Sequence, residues 1–240
     1  MSVKIFSYNT WCVPFITWTS HVSKIASFIK QVVRKHNIDI ICLSEIFKPW
    51  VREQILQELS DLEGNWKVSP IIYPASITVS SGLMVLWKLD TVVRNGKMHT
   101  ILFDRCFQMD CFSNKGALHV PFQTSDGKEI NLVHTHMQAW IPSNFCNTVR
   151  SSQFKQISKM LQAIPASNRI IVGDFNENPN VEFANENNLR IPNPFYETYE
   201  KNYFDHLYTS LGEEEVQVEL AHIENNYGPS DHKGIVISLF

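Results

Sequence analysis

The chain has 240 residues and a mass of 27.7 kDa, enough to bury roughly 70% of the surface its unfolded form exposes. Apolar residues make up 44% and charged residues 19%, with nine glycines and eleven prolines, which excludes disordered, collagen-like and coiled-coil chains. A net charge of −3 and a pI near 6.3 argue against a protein that coats nucleic acid by neutralising phosphates.

Taken in chain order, Val3–Tyr8 alternates as a strand, and Val22, Ile25, Ala26, Ile29, Val32 and Val33 lie at helical spacing between Ser20 and His36. Ile38–Leu43 is a short apolar run, as expected of a buried strand, and a helix is expected to begin near Pro49. Two uncharged stretches, Phe6–Ser23 and Val68–Trp87, carry too many polar and helix-breaking residues (Asn9, Pro14, Pro70, Pro74, Gly82) to cross a membrane and read as strands and loops. Leu83–Trp87, Ala117–Phe122 and Glu129–Thr135 follow as strands, the last two joined by a turn at Gln123–Gly127. Val149–Ile164 reads as a helix with Phe154, Ile157, Leu161 and Ile164 inward, and Arg169–Gly173 and Gly234–Phe240 as strands. No linker, repeat or low-complexity block divides residues 1–240, so one domain is expected. Strands outnumber helices, and both halves carry a similar strand–loop pattern. The expected architecture is α/β, two sheets packed face to face with helices outside.

Cys12, Cys42, Cys106, Cys111 and Cys146 are scattered, with no C-x-x-C pair, so reduced, mostly buried thiols are expected. The first residues, Met-Ser-Val-Lys-Ile-Phe-Ser-Tyr, lack the apolar segment and cleavage site of a signal peptide. That suits the cytoplasm, or delivery without a cleavable signal.

The polar residues of interest sit at the ends of apolar strands: Asn9, Glu45, His136, Asp174 with Asn176, and Asp231 with His232 just before the last strand. Such ends are where ligands and catalytic groups converge. Each also has a plain structural use. Asn9 and Asp174 could close turns, Glu45 could cap the helix near Pro49, and His136 could be a bonded core histidine. As an ordered set they make chemical sense. Glu45 and Asn9 supply hard oxygen ligands for a magnesium ion, two histidines can move protons, and Asp174 with Asn176 can hold a nucleophile in line. The implied reaction is metal-assisted hydrolysis of a phosphate ester.

Gly173-Asp-Phe-Asn176 and Ser230-Asp-His232, preceded by Asn9 and Ser44-Glu45, resemble the motifs of the endonuclease/exonuclease/phosphatase superfamily. Within it the chain is most similar to neutral, magnesium-dependent sphingomyelinases, through Ser81-Gly82-Leu83, Ser113-Asn-Lys-Gly116, Thr135-His-Met-Gln-Ala139 followed by Val149-Arg150 and Gln153, and Phe204-Asp-His-Leu207. The resemblance spans about residues 3–240. It implies a four-layered α/β sandwich, two packed mixed β-sheets with outer helices (DNase I-like), and a sphingomyelin phosphodiesterase releasing ceramide and phosphocholine. Glu45 would be the principal Mg2+ ligand, with Asn9 assisting, Asp231 supporting, and Mn2+ or Co2+ as substitutes. His232 would be the general base oriented by Asp205. Asp174 and Asn176 would position water and phosphate, and His136 would stabilise the phosphoryl group or assist the leaving oxygen. Lys115, Trp140 and Arg150 would contact substrate, and the partner would be sphingomyelin at a bilayer surface, bound by a monomer, with no nucleic acid.

The chain departs from exported bacterial sphingomyelinases where they carry an aromatic-rich, membrane-inserting hairpin: here the stretch is Glu213-Glu-Glu-Val-Gln-Val-Glu219. Trp18, Trp140, Ile141 and Phe145 offer a different apolar lip. Cys106 and Cys146 lie near positions that are disulfide-bonded in the exported enzymes, which leaves that bond as an alternative to free thiols. A zinc site from His134, His136 and Cys146 lacks any standard spacing, and His134 is a further supporting group. The alternatives kept open are a nuclease or other phosphoesterase on the same scaffold, acting on nucleic acid or phosphoinositide, and a non-catalytic binding protein.

Overall fold

The computed structural model describes residues 2–14, 16–72 and 79–240; residues 73–78 of the uncharged Val68–Trp87 stretch lie outside that description. The first sheet runs β11-β12-β1-β2-β4-β3, built from β1 (Val3–Asn9), β2 (Ile40–Ser44), β3 (Trp66–Val68), β4 (Met84–Lys88), β11 (Val216–Leu220) and β12 (Ile235–Leu239). The second runs β10-β9-β8-β7-β5, from β5 (Val92–Arg94), β7 (Gly116–Thr124), β8 (Glu129–His136), β9 (Arg169–Asp174) and β10 (Asp205–Thr209), with β6 (His99–Leu102) also pairing β7. Helices α1 (Thr19–His36) and α2 (Pro49–Glu58) cover the first sheet, and α3 (Asn144–Gln162) and α4 (Val181–Glu186) the second.

Period-2 alternation sorts each strand's side chains between two cores. Ile5, Ile40, Cys42 and Val85 meet Leu118, Val120, Leu132, Ile170 and Val172 between the sheets. The intervening Phe6, Tyr8, Ile41 and Leu43 pack under the apolar stripe of α1. Ala117, Val133 and Ile171 pack under Phe154, Ile157 and Leu161 of α3. The fold is thus the expected four-layered α/β sandwich.

Most expected elements lie within a residue or two of their predicted ends. The α3 helix is the exception: it starts at Asn144 rather than Val149, because Ser143 Oγ accepts the Phe145 N–H (3.2 Å) and caps it. Strands β10 and β11 were not expected. The acidic 213–219 stretch forms a 3-10 turn and edge strand β11, paired antiparallel to β12, rather than a projecting hairpin.

The disulfide joins Cys106 to Cys111, Cα atoms 5.0 Å apart across a 3-10 turn at Gln108–Phe112. This corrects the Cys106–Cys146 alternative. Cys146 is a free, buried thiol in α3's first turns.

Candidate active site

Two parallel strand pairs, β1–β2 and β8–β9, point their carboxyl ends to the same edge. Register places Asn9 opposite Ser44, His136 opposite Asp174, and Asp174 opposite Asp205. Gly173 makes the His136–Asp174 alignment feasible: at φ 147° a Cβ here would lie 1.9 Å from the Thr135 carbonyl oxygen, so only glycine lets β9 approach β8 this closely. Glu45 (φ 67°) and Asn176 (φ 51°) are left-handed just past their strands, a costly backbone for side chains other than glycine and one that collects at functional sites.

The buried side chains interlock. Asn9 Nδ2 donates to Asp174 Oδ2 (2.9 Å) and to Glu45 Oε1 (3.2 Å), while its Oδ1 accepts the Trp11 N–H. His136 Nε2 lies 3.4 Å from Asp174 Oδ2 and 3.8 Å from Glu45 Oε1. His232 Nδ1 donates to Asp205 Oδ2 at 2.7 Å, leaving Nε2 facing Asp174 Oδ2 at 3.9 Å. Asp174 Oδ1 accepts the Asn176 N–H, and Asn176 in turn holds the Met137 carbonyl and the Trp140 N–H. Ser230 Oγ donates to the Asn9 carbonyl and accepts the His232 N–H, tying the Ser-Asp-His motif to β1.

Glu45 caps no helix. Lys48 is the N-cap residue of α2, with Pro49 in its first turn. The Ser81-Gly82 motif supports Glu45 from behind, since the Gly82 carbonyl accepts the Ile46 N–H and Phe47 packs where a Gly82 side chain would sit.

Burial dominates the electrostatics. It pushes the Glu45 carboxyl up to about 7 against the pull of Lys115 and the Asn9 bond. It likewise pushes Asp174 up to about 6 against the attraction of His232. Burial, reinforced by Lys115 and His232, holds His136 well below the usual histidine range. Burial also opposes charge on His232, but the carboxylates of Asp205 and Asp174 outweigh it and raise that imidazole to about 10.

These residues fit a hard divalent cation. Glu45 Oε2 is buried with no hydrogen-bond partner among the described residues, and burial disfavours the charged form of Glu45 and Asp174, a cost that a bound cation offsets. Asp174, Asp205 and His232 also present ligand atoms within 4.8 Å of one another. There, however, His232 Nδ1 is already committed to Asp205.

Of the other expected residues, Lys115 is buried, its Nζ bonded to the Met137 carbonyl (2.8 Å) and paired with Asp110 (2.9 Å). Trp140 stands half-exposed at the rim against Phe204. Arg150 is buried behind the rim, bonded to Glu177, Asn147 and the Ala139 carbonyl, so it braces the Trp140 segment. Asp231 is exposed, 3.3 Å from Ser230 Oγ. His134 is wedged between the sheets, its nitrogens against the Val172 and Leu43 carbonyls, and Cys146 lies under α3. The zinc alternative is thereby excluded.

Sequence reasoning missed Asp110, which pairs Lys115 and also accepts the Ala139 N–H. It missed Tyr199 as well, whose ring lies 4.8 Å from that of His232. Asp110 stands five positions before Lys115, a spacing that carries no signal until the disulfide folds the turn back.

A groove of about 550 Å³ opens beside Glu45, lined by Val13, Pro14, Phe47, Val79, Met109 and Phe112, with Lys48, Asp110 and Lys115 as its charged residues beside Glu45. Ile16, Trp18, Met109 and Phe112 are exposed near it in sequence or space.

No family model matches the chain, and no curated protein matches it. Solved structures do. Sphingomyelinase C from Streptomyces griseocarneus superposes with TM-score 0.73 at 19% identity, covering 100% of both chains. A beta toxin variant from Staphylococcus aureus with bound magnesium ions gives TM-score 0.77 at 16% identity, again over 100% of both chains. The human Nocturnin catalytic domain gives TM-score 0.70 at 18% identity, over 100% of this chain and 94% of its own. The shared feature is the DNase I-like α/β sandwich.

Proposed function

We propose that this chain, on the fold it shares with a sphingomyelinase C and a magnesium-bearing beta toxin, is a divalent-metal-dependent phosphodiesterase that hydrolyses sphingomyelin to ceramide and phosphocholine. The observation that carries the lipid reading is the groove running up to Glu45, whose lining is mainly Val13, Pro14, Phe47, Val79, Met109, Phe112 and Ala139: a nucleic-acid or inositol-phosphate substrate calls for a dense cationic lining, and here the cations are Lys48 and Lys115, the latter paired with Asp110.

Glu45, with Asp174 beside it, would hold the ion; Asn9, expected as an assisting ligand, instead turns Nδ2 to both carboxylates and gives Oδ1 to the Trp11 N–H, so it would steady the two ligands rather than bind the ion. Bound Mg2+ supplies Lewis-acid polarisation of the phosphoryl oxygen and offsets charge on the leaving oxygen. Asp205 fixes the His232 tautomer, so Nε2 is the nitrogen that takes a proton from the attacking water. In the bare site the ring is held protonated, with Asp205 on Nδ1 and Asp174 facing Nε2. Its neutral, proton-accepting form therefore needs positive charge near Asp174, which couples the base to the cation. Asp174 and Asn176 orient the water. His136, neutral through burial, carries its N–H on Nε2, where it can bond a phosphoryl oxygen or the oxygen leaving with ceramide. Water adds to phosphorus, the bond to the ceramide oxygen breaks, and the proton passes to that oxygen.

The test is phosphocholine release from sphingomyelin in mixed micelles with Mg2+, run beside phosphatidylcholine and abasic DNA. Release selective for sphingomyelin, abolished by chelator and reduced about 100-fold or more in His232→Ala, is expected. Cleavage of DNA without lipid cleavage would overturn the substrate and leave the metal site standing.

A further inference from the structure

A turn to which the proposed reaction gives no role reaches both halves of the Asp205–His232 pair. Residues 198–202 close on themselves. The Thr198 and Tyr199 N–H groups donate to the Asn202 carbonyl (3.0 and 3.3 Å), and the Asn202 N–H returns to the Tyr199 carbonyl (2.8 Å).

Thr198, at one end of this turn, is fully buried. Its Oγ1 accepts the Asp205 N–H (2.9 Å), and its carbonyl accepts the Lys233 N–H (2.7 Å). Strand β10 is the last of its sheet, where backbone groups on the outer side lack a strand partner. The threonine hydroxyl supplies one where Asp205 begins the strand. On the other side of His232, its own N–H is held by Ser230 Oγ. Thr198 therefore bonds the backbone at Asp205 and, at the same time, the backbone immediately after His232.

Tyr199 bears on the ring itself. The bond from His232 Nδ1 to Asp205 Oδ2, at 2.7 Å, sets the direction of the imidazole but leaves its plane free to tip about that bond. The Tyr199 ring lies against the imidazole, centroids 4.8 Å apart and planes at 37°, within the range of attractive aromatic pairs. Buried Phe204 backs Tyr199 in turn, 5.5 Å away and within 12° of parallel. The Phe204 carbonyl accepts the Phe175 N–H, which anchors the stack to the residue after Asp174. A tipped imidazole would carry Nε2 off its line to the water, and misplaced reacting groups lose rate steeply.

We propose that Thr198 and Tyr199 are positioning residues for the Asp205–His232 pair, the first fixing where both side chains are rooted and the second fixing the plane of the imidazole. The assignment rests on the proposed hydrolysis for the role of His232, and its geometry can be tested without turnover.

Kinetics and NMR on the whole protein make the test. Thr198→Val keeps the shape and removes the acceptor, and Tyr199→Leu removes the flat ring. Each should lower kcat for sphingomyelin with Mg2+ about tenfold or more while KM stays within about twofold, with Thr198→Ser and Tyr199→Phe restoring kcat to within about threefold of the wild type. In chelator, the low-field proton of the short Nδ1–H bond to Asp205, identified by its loss in His232→Ala, should broaden or move upfield in Thr198→Val. The carbon-bound ring protons of His232 should shift in Tyr199→Leu and hold their places in Tyr199→Phe. If the wild type leaves sphingomyelin intact, the substrate reading falls and the resonances alone decide the positioning. Unchanged kcat and unchanged resonances in both variants overturn the proposal, as does a loss of kcat that the conservative variants share. Tyr199 is only half-buried, so its variants decide the matter even where Thr198→Val fails to fold.

Discussion

Asn9 serves backbone and site at once. Its Oδ1 closes a turn on Trp11, as a structural reading expects, while Nδ2 joins Glu45 to Asp174. Asp174 divides its two oxygens in the same way, Oδ1 to the Asn176 N–H and Oδ2 toward Asn9 and both histidines. Glu45 is the residue where charge and burial conflict most openly. Its folded value of about 7 lies above the ordinary 4.5, so its charged form is disfavoured, and that cost appears as pH rises from about 4.5 through about 7. In chelator at about pH 8, Glu45→Gln should therefore be more stable than the wild type by about 1–3 kcal/mol. It should also lose the rise in Tm that Mg2+ gives. Scanning fluorimetry reads both, and an undiminished Mg2+ shift would remove Glu45 from the metal site.

Among the elements, the 3-10 turn closed by Cys106–Cys111 governs more than its length suggests. Asp110 on it pairs Lys115 and bonds the Ala139 N–H, and the Phe107 backbone is bonded on both sides to the Gln138 amide. Gln153 of α3 then accepts the Gln138 N–H. The turn thus joins the groove wall to the segment bearing Trp140. Replacing both cysteines by serine should cost about 2 kcal/mol for so short a loop and raise KM for lipid more than it lowers kcat. Melting curves and Michaelis profiles test the two parts, and an unchanged KM would show that the turn does not shape the groove.

On the scale of the molecule, three shifts act in one direction. Glu45 and Asp174 are raised by burial, and His232 is raised by its carboxylates over the opposition of burial. Each makes the folded state bind protons more tightly than the unfolded chain. The metal-free protein should accordingly lose stability as pH rises from about 4 to about 10, the carboxylates acting up to about 7 and His232 above about 6.5, and divalent cation should recover the carboxylate share. A flat Tm profile in chelator would contradict this. The exposed Met109 and Phe112 line the groove, while the 213–219 stretch is an edge strand rather than a projecting hairpin. Changing Met109 and Phe112 to serine should lower hydrolysis in vesicles at least about tenfold and spare a soluble phosphodiester. Equal loss on both substrates would make these side chains structural.

What the sequence by itself determined was the layered α/β sandwich and the strand ends that bear Asn9, Glu45, His136, Asp174 and His232. Alternation sorts side chains between faces locally, and parallel strands feeding helices leave their polar ends along one edge. Asp205 was legible only through its motif, because the strand that carries it holds a histidine and an aspartate and shows no apolar run. Tertiary structure alone decided the rest: that Cys106 bonds Cys111, that Asp110 holds Lys115, and that Arg150 braces a loop. These depend on contacts between segments distant in the chain, or on a turn whose closure has no periodic signature, and neither is written in the spacing of residues along one element.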